Sequence, residues 1–224
     1  MVTSMSSAHA KHLAKKKAIK PFLSQSNAVL HIGCIGYEDY LFDDDVWLHS
    51  WIDDHAGDLV GIDLLEEQVE RGQENGYEMY VEDAQDFDLG RQFDVIVAGN
   101  VIEHLPNPGL FLDCCEKHLT DDGVLLITTP HPTYLRSVLN YIIKGKHTPS
   151  GNHTMYFEES TMNRICELSD LSLVKNVPLT YNKTPKSLPG YIINKYEALS
   201  RRFGFLTHMI AYQMLYVIQK AEDY

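Results

Sequence analysis

No stretch of the 224 residues approaches the ~18–20 consecutive apolar residues that a membrane-spanning helix needs. Residues 1–10 are polar and lack the apolar core of a secretory signal. Cysteine is sparse: Cys34, Cys114, Cys115 and Cys166 show no C-x-x-C spacing, and an adjacent pair inside a helix is poorly placed to form a disulfide. Reduced thiols in a cytoplasmic protein are therefore expected. Basic residues are also in deficit, with 19 Lys and Arg against 31 Asp and Glu and a net charge of −12. That balance argues against a phosphate backbone as partner, so no nucleic acid is expected. The one basic cluster, from Lys11 to Lys20, reads as the solvated face of a helical arm over residues 1–26. Internal repeats and low-complexity tracts are missing as well.

Short apolar runs separated by helical patterns make up the rest. Val29 to Ile32, Leu59 to Ile62, Met79 to Val81, Phe93 to Ala98 and Val124 to Thr128 each have the length of a buried strand. The last is launched by the turn Asp121-Asp122-Gly123. Leu65 and Val69 stand one helical turn apart after Asp63, and Gly76 supplies a stop. Leu112, Cys115 and Leu119 follow Asn107-Pro108, where Asn suits an N-cap and Pro the first turn. Leu135, Leu139 and Ile142 mark another helix. Strands alternating with helices predict an α/β fold whose parallel sheet is covered on both faces. Further on, a helix is expected from Glu159 to Leu168, a strand from Leu171 to Leu179, and a final strand within Met209 to Ile218.

In such a sheet, ligands bind beyond the carboxyl ends of the strands where strand order reverses. The first run ends His31-Ile32-Gly33-Cys34-Ile35-Gly36, and a glycine there lets the backbone pass close to a ligand. The second ends in Asp63, a carboxylate able to accept from both hydroxyls of a ribose. Asp63 and Glu66 also read as a capping box for the next helix. The third ends Val81-Glu82-Asp83-Ala84, where Asp83 can accept from an adenine amino group while the backbone of Ala84 meets the ring edge. A glycine turn and two acids on successive strand ends describe a pocket for an adenine nucleoside. A nicotinamide dinucleotide fits less well, because Gly33-Cys34-Ile35-Gly36-Tyr37-Glu38 places bulk and an acid where a pyrophosphate must approach backbone. A domain that binds its nucleoside or a partner protein without turnover remains as the non-catalytic alternative.

Residues 29–130 resemble the class I S-adenosylmethionine-dependent methyltransferases. The run Phe93-Asp94-Val95-Ile96-Val97-Ala98-Gly99-Asn100-Val101-Ile102-Glu103-His104-Leu105-Pro106-Asn107-Pro108 is similar to the fourth-strand signature of small-molecule enzymes related to the ubiquinone-biosynthesis O-methyltransferases. The resemblance implies a Rossmann-like, doubly wound, mainly parallel seven-stranded sheet with helices on both faces, forming one domain over 27–220. It also implies S-adenosylmethionine as cofactor and S-adenosylhomocysteine as product. Gly33, Cys34 and Gly36 would line the methionine end, Asp63 and Leu64 the ribose, Asp83 and Ala84 the adenine, and Asn100 the entrance for the acceptor. The family usually carries an acid where His31 stands, which helps orient the methionine ammonium, and a richer glycine run where Ile35 and Tyr37 occur. The 26 residues between Gly36 and Asp63 also exceed the usual connection.

Methyl transfer from a sulfonium asks mainly for positioning and exclusion of water, and a hydroxyl acceptor also needs a base. His104, His153 and His131 are the candidates, in that order, since histidine is neutral and basic near pH 7. No metal is expected: the resemblance places a further acidic ligand three residues before Glu103, where this chain has Asn100. The acceptor is expected to be a small molecule, a sugar or a lipid-linked compound methylated on oxygen. Residues 181–208 mix Tyr191, Ile192, Ile193, Tyr196, Phe203, Phe205 and Leu206 with Lys183, Lys186, Lys195, Arg201 and Arg202. They read as an acceptor-side cap suited to peripheral membrane contact.

Overall fold

In the computed structural model of the chain, residues 7–36, 47–145, 152–180, 188–203 and 207–221 are described. Seven strands form one sheet: β1 (Ala28–Ile32), β2 (Asp58–Asp63), β3 (Glu78–Val81), β4 (Phe93–Gly99), β5 (Leu119–Pro130), β6 (Leu171–Leu179) and β7 (Gln213–Lys220). Their spatial order is β3-β2-β1-β4-β5-β7-β6. β1 pairs in parallel with both β2 and β4, so the chain reverses its direction of travel across the sheet at the β1/β4 boundary. β7 is antiparallel to both β5 and β6 and slots between them. The doubly wound, mainly parallel architecture expected from the sequence is what forms.

Parallel strands buried on both faces need apolar residues of either parity, and β1 supplies them. Leu30 and Ile32 join one core with Phe93, Phe111, Phe157 and Tyr216. Val29 joins the opposite core with Val95, Val97, Leu126 and Leu215. The first face is covered by α4 (Pro108–His118) and α6 (Glu159–Glu167), the second by α1 (Ser7–Ile19) and α2 (Leu48–Asp53). α3 (Glu66–Glu74) flanks β3, where Val69 and Met79 are buried together.

Four expectations need correction. The cluster from Lys11 to Lys20 is not wholly a solvated face: Ile19 is fully buried, Lys16 is buried with its Nζ 5.7 Å from the Trp51 ring centroid, and Lys15 is half-buried. Long lysine stems can cover apolar surface while the cation finds a partner, so cations sit on the buried stripe of α1 and blur its hydrophobic periodicity. The capping box does not form either. Leu65, not Asp63, precedes α3, and no side chain caps that helix. β5 starts five residues early, at Leu119. Phe93 pairs with Leu119 and Val95 with Val124, so the expected Asp121-Asp122-Gly123 turn survives as an excursion within the strand. The final apolar run is divided, with α8 (Thr207–Ile210) ahead of β7.

Other local signals act as read. Asn107 Oδ1 accepts from the amides of Gly109 and Leu110 at the start of α4. Gly76, at φ +90°, ends the α3 region. Of residues 181–208, the described parts fall in α7 (Leu188–Phe203) and α8, while 181–187 and 204–206 lie outside the described residues. Arg136, on α5 (Leu135–Lys144), donates to the side chain of Asn194 on α7. Among the described residues no helix is long and apolar enough to cross a membrane.

Candidate active site

The carboxyl ends of β3, β2, β1 and β4 open into one cavity of about 620 Å³. Every residue expected to hold the nucleoside lines it: Gly33, Cys34, Gly36, Asp63, Leu64, Asp83, Ala84 and Asn100. Gly33 has φ +71°, and a Cβ there would come within 2.5 Å of Val101 Cγ2. This glycine is required both by its backbone conformation and by its closeness to the turn after β4.

Gly36, further along the loop, also has a positive φ of 66°, but a Cβ there would meet nothing within 4 Å, and the loop is held by other means. Cys34 and Ile35 are buried. The Cys34 carbonyl accepts from Trp47 Nε1 at 2.8 Å, and the Ile35 amide donates to Asp63 Oδ2 at 3.0 Å. Asp63 Oδ1 lies 3.3 Å from the Leu65 amide that donates to it. Each carboxylate oxygen keeps a lone pair for a further donor. Burial pushes the Asp63 pKa up, and the backbone amides of Ile35, Leu65 and Leu64 oppose that shift. At β3, Asp83 Oδ1 accepts from the Gln85 amide at 2.9 Å, setting the turn that buries Ala84. Residues 37–46, within the long connection from Gly36 to Asp63, lie outside the described residues.

Asn100 takes the left-handed conformation, φ 64°, which asparagine tolerates better than most residues. Its Oδ1 accepts from Lys15 Nζ at 2.6 Å and Gln213 Nε2 at 2.7 Å, and its Nδ2 donates to Glu103 Oε1 at 3.0 Å. Glu103 is fully buried, and its Oε2 has no hydrogen-bond partner among the described residues. Lys15 is one of the site residues that sequence reasoning missed. Burial pulls its pKa down to about 8, opposed by the Glu103 charge. His12, three residues earlier on α1, also lines the cavity and is pulled down to about 4 by burial and neighbouring lysines. The spacing of His12, Lys15 and Ile19 along one helical face was the available signal.

His104 lines the cavity and His153 stands beside it, with ring centroids 4.8 Å apart. Thr154 makes this meeting: its amide and hydroxyl donate to the Glu103 carbonyl at 2.8 and 3.0 Å, and its hydroxyl lies 2.9 Å from the Leu105 carbonyl. His104 Nδ1 is 3.2 Å from the Asn152 carbonyl. A carbonyl only accepts, so the proton belongs on Nδ1 and the lone pair on Nε2. Burial lowers the His153 pKa, with Glu103 opposing and His104 assisting. Glu103, His104 and His153 each offer a ligand atom, all within 4.8 Å of one another. His131 stands apart. It is buried at the end of β5 beside Thr133 and His208 and does not line the cavity, because β5 is one strand further along the sheet.

Residues 15–176 match the family model described as "Methyltransferase domain". The ubiquinone biosynthesis O-methyltransferase of Azoarcus sp. (strain BH72) is 25% identical over 175 residues, covering 70% of each chain. The mitochondrial ubiquinone biosynthesis O-methyltransferase of Rattus norvegicus is 33% identical over 95 residues, 40% of this chain and only 28% of the rat protein. In fold, the chain is similar to a SAM dependent methyltransferase from Archaeoglobus fulgidus, with TM-score 0.60, 20% identity and 94% coverage of each chain.

Proposed function

The chain belongs to the methyltransferase-domain family as a class I S-adenosylmethionine-dependent enzyme, and on that premise we propose that it methylates an oxygen of a small-molecule, sugar or lipid-linked acceptor. One observation carries the assignment of the site: Asp83, Asp63, Gly33 and Asn100 follow one another along four adjacent strand ends in a single cavity. Its volume of about 620 Å³ suits a ligand of nucleoside–amino acid size. The left-handed Gly33, with no Cβ to strike Val101, lets the turns after β1 and β4 close on one another at the edge of the cavity.

In this reading Asp63 accepts from the ribose hydroxyls and Leu64 covers the sugar. Asp83 and the Ala84 backbone hold the adenine, and Gly33, Cys34 and Gly36 border the methionine. S-adenosylmethionine, when bound, supplies a sulfonium methyl already activated toward nucleophiles. What remains for the protein is orientation, exclusion of water, and a proton acceptor for the incoming hydroxyl. His104 Nε2 is the first choice for that base and His153 the second, His131 being left out by its distance along the sheet. The reading needs no metal: chelation should leave turnover unchanged. Loss of turnover on chelation would instead make Glu103, His104 and His153 ligands. On α7, exposed Tyr191, Lys195, Leu199 and Arg202 support an amphiphilic acceptor met at a membrane surface.

Calorimetry with S-adenosylhomocysteine and with NAD tests the cofactor assignment, binding of the first and not the second being expected. With an acceptor in hand, His104→Ala at saturating cofactor should lose turnover ~10²-fold or more while cofactor affinity is kept. Unchanged turnover in both His104→Ala and His153→Ala would leave catalysis to positioning alone.

A further inference from the structure

Four consecutive residues near the end of α5, Asn140, Tyr141, Ile142 and Ile143, are exposed. About 3.6 residues make one helical turn, so together they go once around the helix, and its last turn stands clear of the fold on every side. The first half of the helix is different. Leu135 to Leu139 are half-buried, and Tyr134 just before them packs against the core that holds Leu126, Leu215 and Val217. Gly145 stops the helix and gives its amide to the Tyr141 carbonyl. An anchored base thus carries an apolar tip into solvent. Ile143, at 79%, is the most exposed large apolar side chain among the described residues.

The sequence around α5, α7 and α8 runs against the charge of the whole chain. Residues 131–146 and 182–210 hold eight Lys and Arg and one acid, Glu197, within a chain of net charge −12. Five of the eight are lysines, a residue in which protein–protein interfaces are poor. α7 is tied to α5 where Arg136 donates to Asn194, and the next residue, Lys195, has its Nζ 5.0 Å from the Tyr191 ring centroid. Tyr191, Lys195 and Leu199 recur every fourth residue and are all exposed, so α7 presents an aromatic, a cation and an aliphatic side chain along one face. Isoleucines at a tip, tyrosine next to them and lysines nearby make up a segment suited to the bilayer interface. The apolar parts enter, and the cations stay at the headgroups.

α5 also starts at the edge of the sheet where an acceptor must arrive. β5 ends at Pro130 and α5 begins at Leu135, so the helix leaves the carboxyl end of β5, next to the end of β4 where Asn100 lines the cavity. We propose that the last turn of α5 dips Tyr141, Ile142 and Ile143 into an anionic bilayer, with the basic residues of the α5 and α7 segments on its headgroups, and that the enzyme takes its acceptor from that surface. This rests on the amphiphilic acceptor proposed above, and it makes α5, beyond residues 181–208, the inserting element. A bilayer of anionic phospholipid is the partner, because its surface potential attracts lysines and arginines and a neutral surface does not.

Co-sedimentation of the full chain with vesicles is the test. Binding is expected to vesicles of phosphatidylcholine mixed with phosphatidylglycerol and not to phosphatidylcholine alone, and it should weaken as salt screens the headgroups. Replacing both isoleucines, Ile142→Ser with Ile143→Ser, should weaken partitioning at least about tenfold, since apolar burial adds to the electrostatic attraction. Thermal melting and S-adenosylhomocysteine affinity of that double variant should stay as in the parent. Tyr141→Trp reports depth: its added emission should shift to the blue with the anionic vesicles only. Equal partitioning of the parent and the double variant would reduce the contact to charge alone and overturn insertion. Absence of binding to either vesicle overturns the proposal without needing any variant to fold. Self-association of the parent that the double variant abolishes would then make the tip an interface between copies of the chain. A chain that binds vesicles but not S-adenosylhomocysteine would overturn the cofactor assignment and leave this surface standing.

Discussion

The two halves of the sheet solve different problems. From β1 to β4 the strands are parallel, all but the edge strand β3 are buried on both faces, and they end in a row of side chains fixed by backbone contacts, such as Asp63 on the Ile35 amide. From β5 onward the sheet turns antiparallel, and the helices beside it leave apolar side chains in solvent. Tyr141, Ile142 and Ile143 are 51%, 68% and 79% exposed, in contrast to Phe111 at 0%. A nucleoside is a constant ligand, and a strand-end row held by short bonds is the arrangement proposed above to recognise it. Apolar surface left open on α5 and α7 holds no comparable geometry of its own, in keeping with the proposal that the acceptor is met there.

That contrast can be broken at several strengths. Phe111→Ala, in the fully buried core under α4, should lower stability by ~3–5 kcal/mol in chemical denaturation. Next comes Asp63→Ala, expected to weaken S-adenosylhomocysteine by ~1.5–3 kcal/mol in calorimetry while the fold persists. Unchanged affinity in a folded variant would remove Asp63 from the site. Smaller still is an effect of pH. Lys15 is charged below about 8 and loses its proton as pH rises through that value. Affinity for a carboxylate-bearing ligand should therefore fall above pH 8, and Lys15→Arg should flatten the fall, because guanidinium stays charged. The groups facing Lys15 do not reverse this sign, since His12 and His31 are already neutral there and Glu103 favours the charged lysine. Smallest is Ile143→Ser on α5, expected to stay within ~0.5 kcal/mol of the parent by denaturation. A penalty approaching that of Phe111→Ala would mean that α5 is as tightly packed as the core under α4.

Much of the site was legible before any coordinates. Strand ends can be read because a buried strand is a short apolar run, and the residue that breaks it sits at the ligand-facing edge of a parallel sheet. Gly33, Asp63, Asp83 and Asn100 all declare themselves this way. Asn107 was equally plain, since capping depends on a neighbouring pair of residues. The capping role assigned to Asp63 failed for a physical reason: one carboxylate oxygen accepts from the Ile35 amide, 28 residues away in sequence, the other from the Leu65 amide, and α3 begins only after Leu65. The lysine cluster misled because amphipathic periodicity assumes that cations face water, whereas Lys15 and Lys16 find partners within the fold.

Sequence alone therefore determined the α/β class, the order of the strand ends and the residues that stand at them, because each depends on local periodicity or on a motif of a few residues. Only the tertiary structure decided that α1 lays Lys15 against Asn100, 85 positions away, that His31 pairs with His49, that Thr154 brings His153 to His104, and that His131 stands outside the cavity. Those meetings are set by packing across the sheet, where partners distant in the chain are chosen by shape and by the cost of burying an unpaired charge, and no local pattern encodes them.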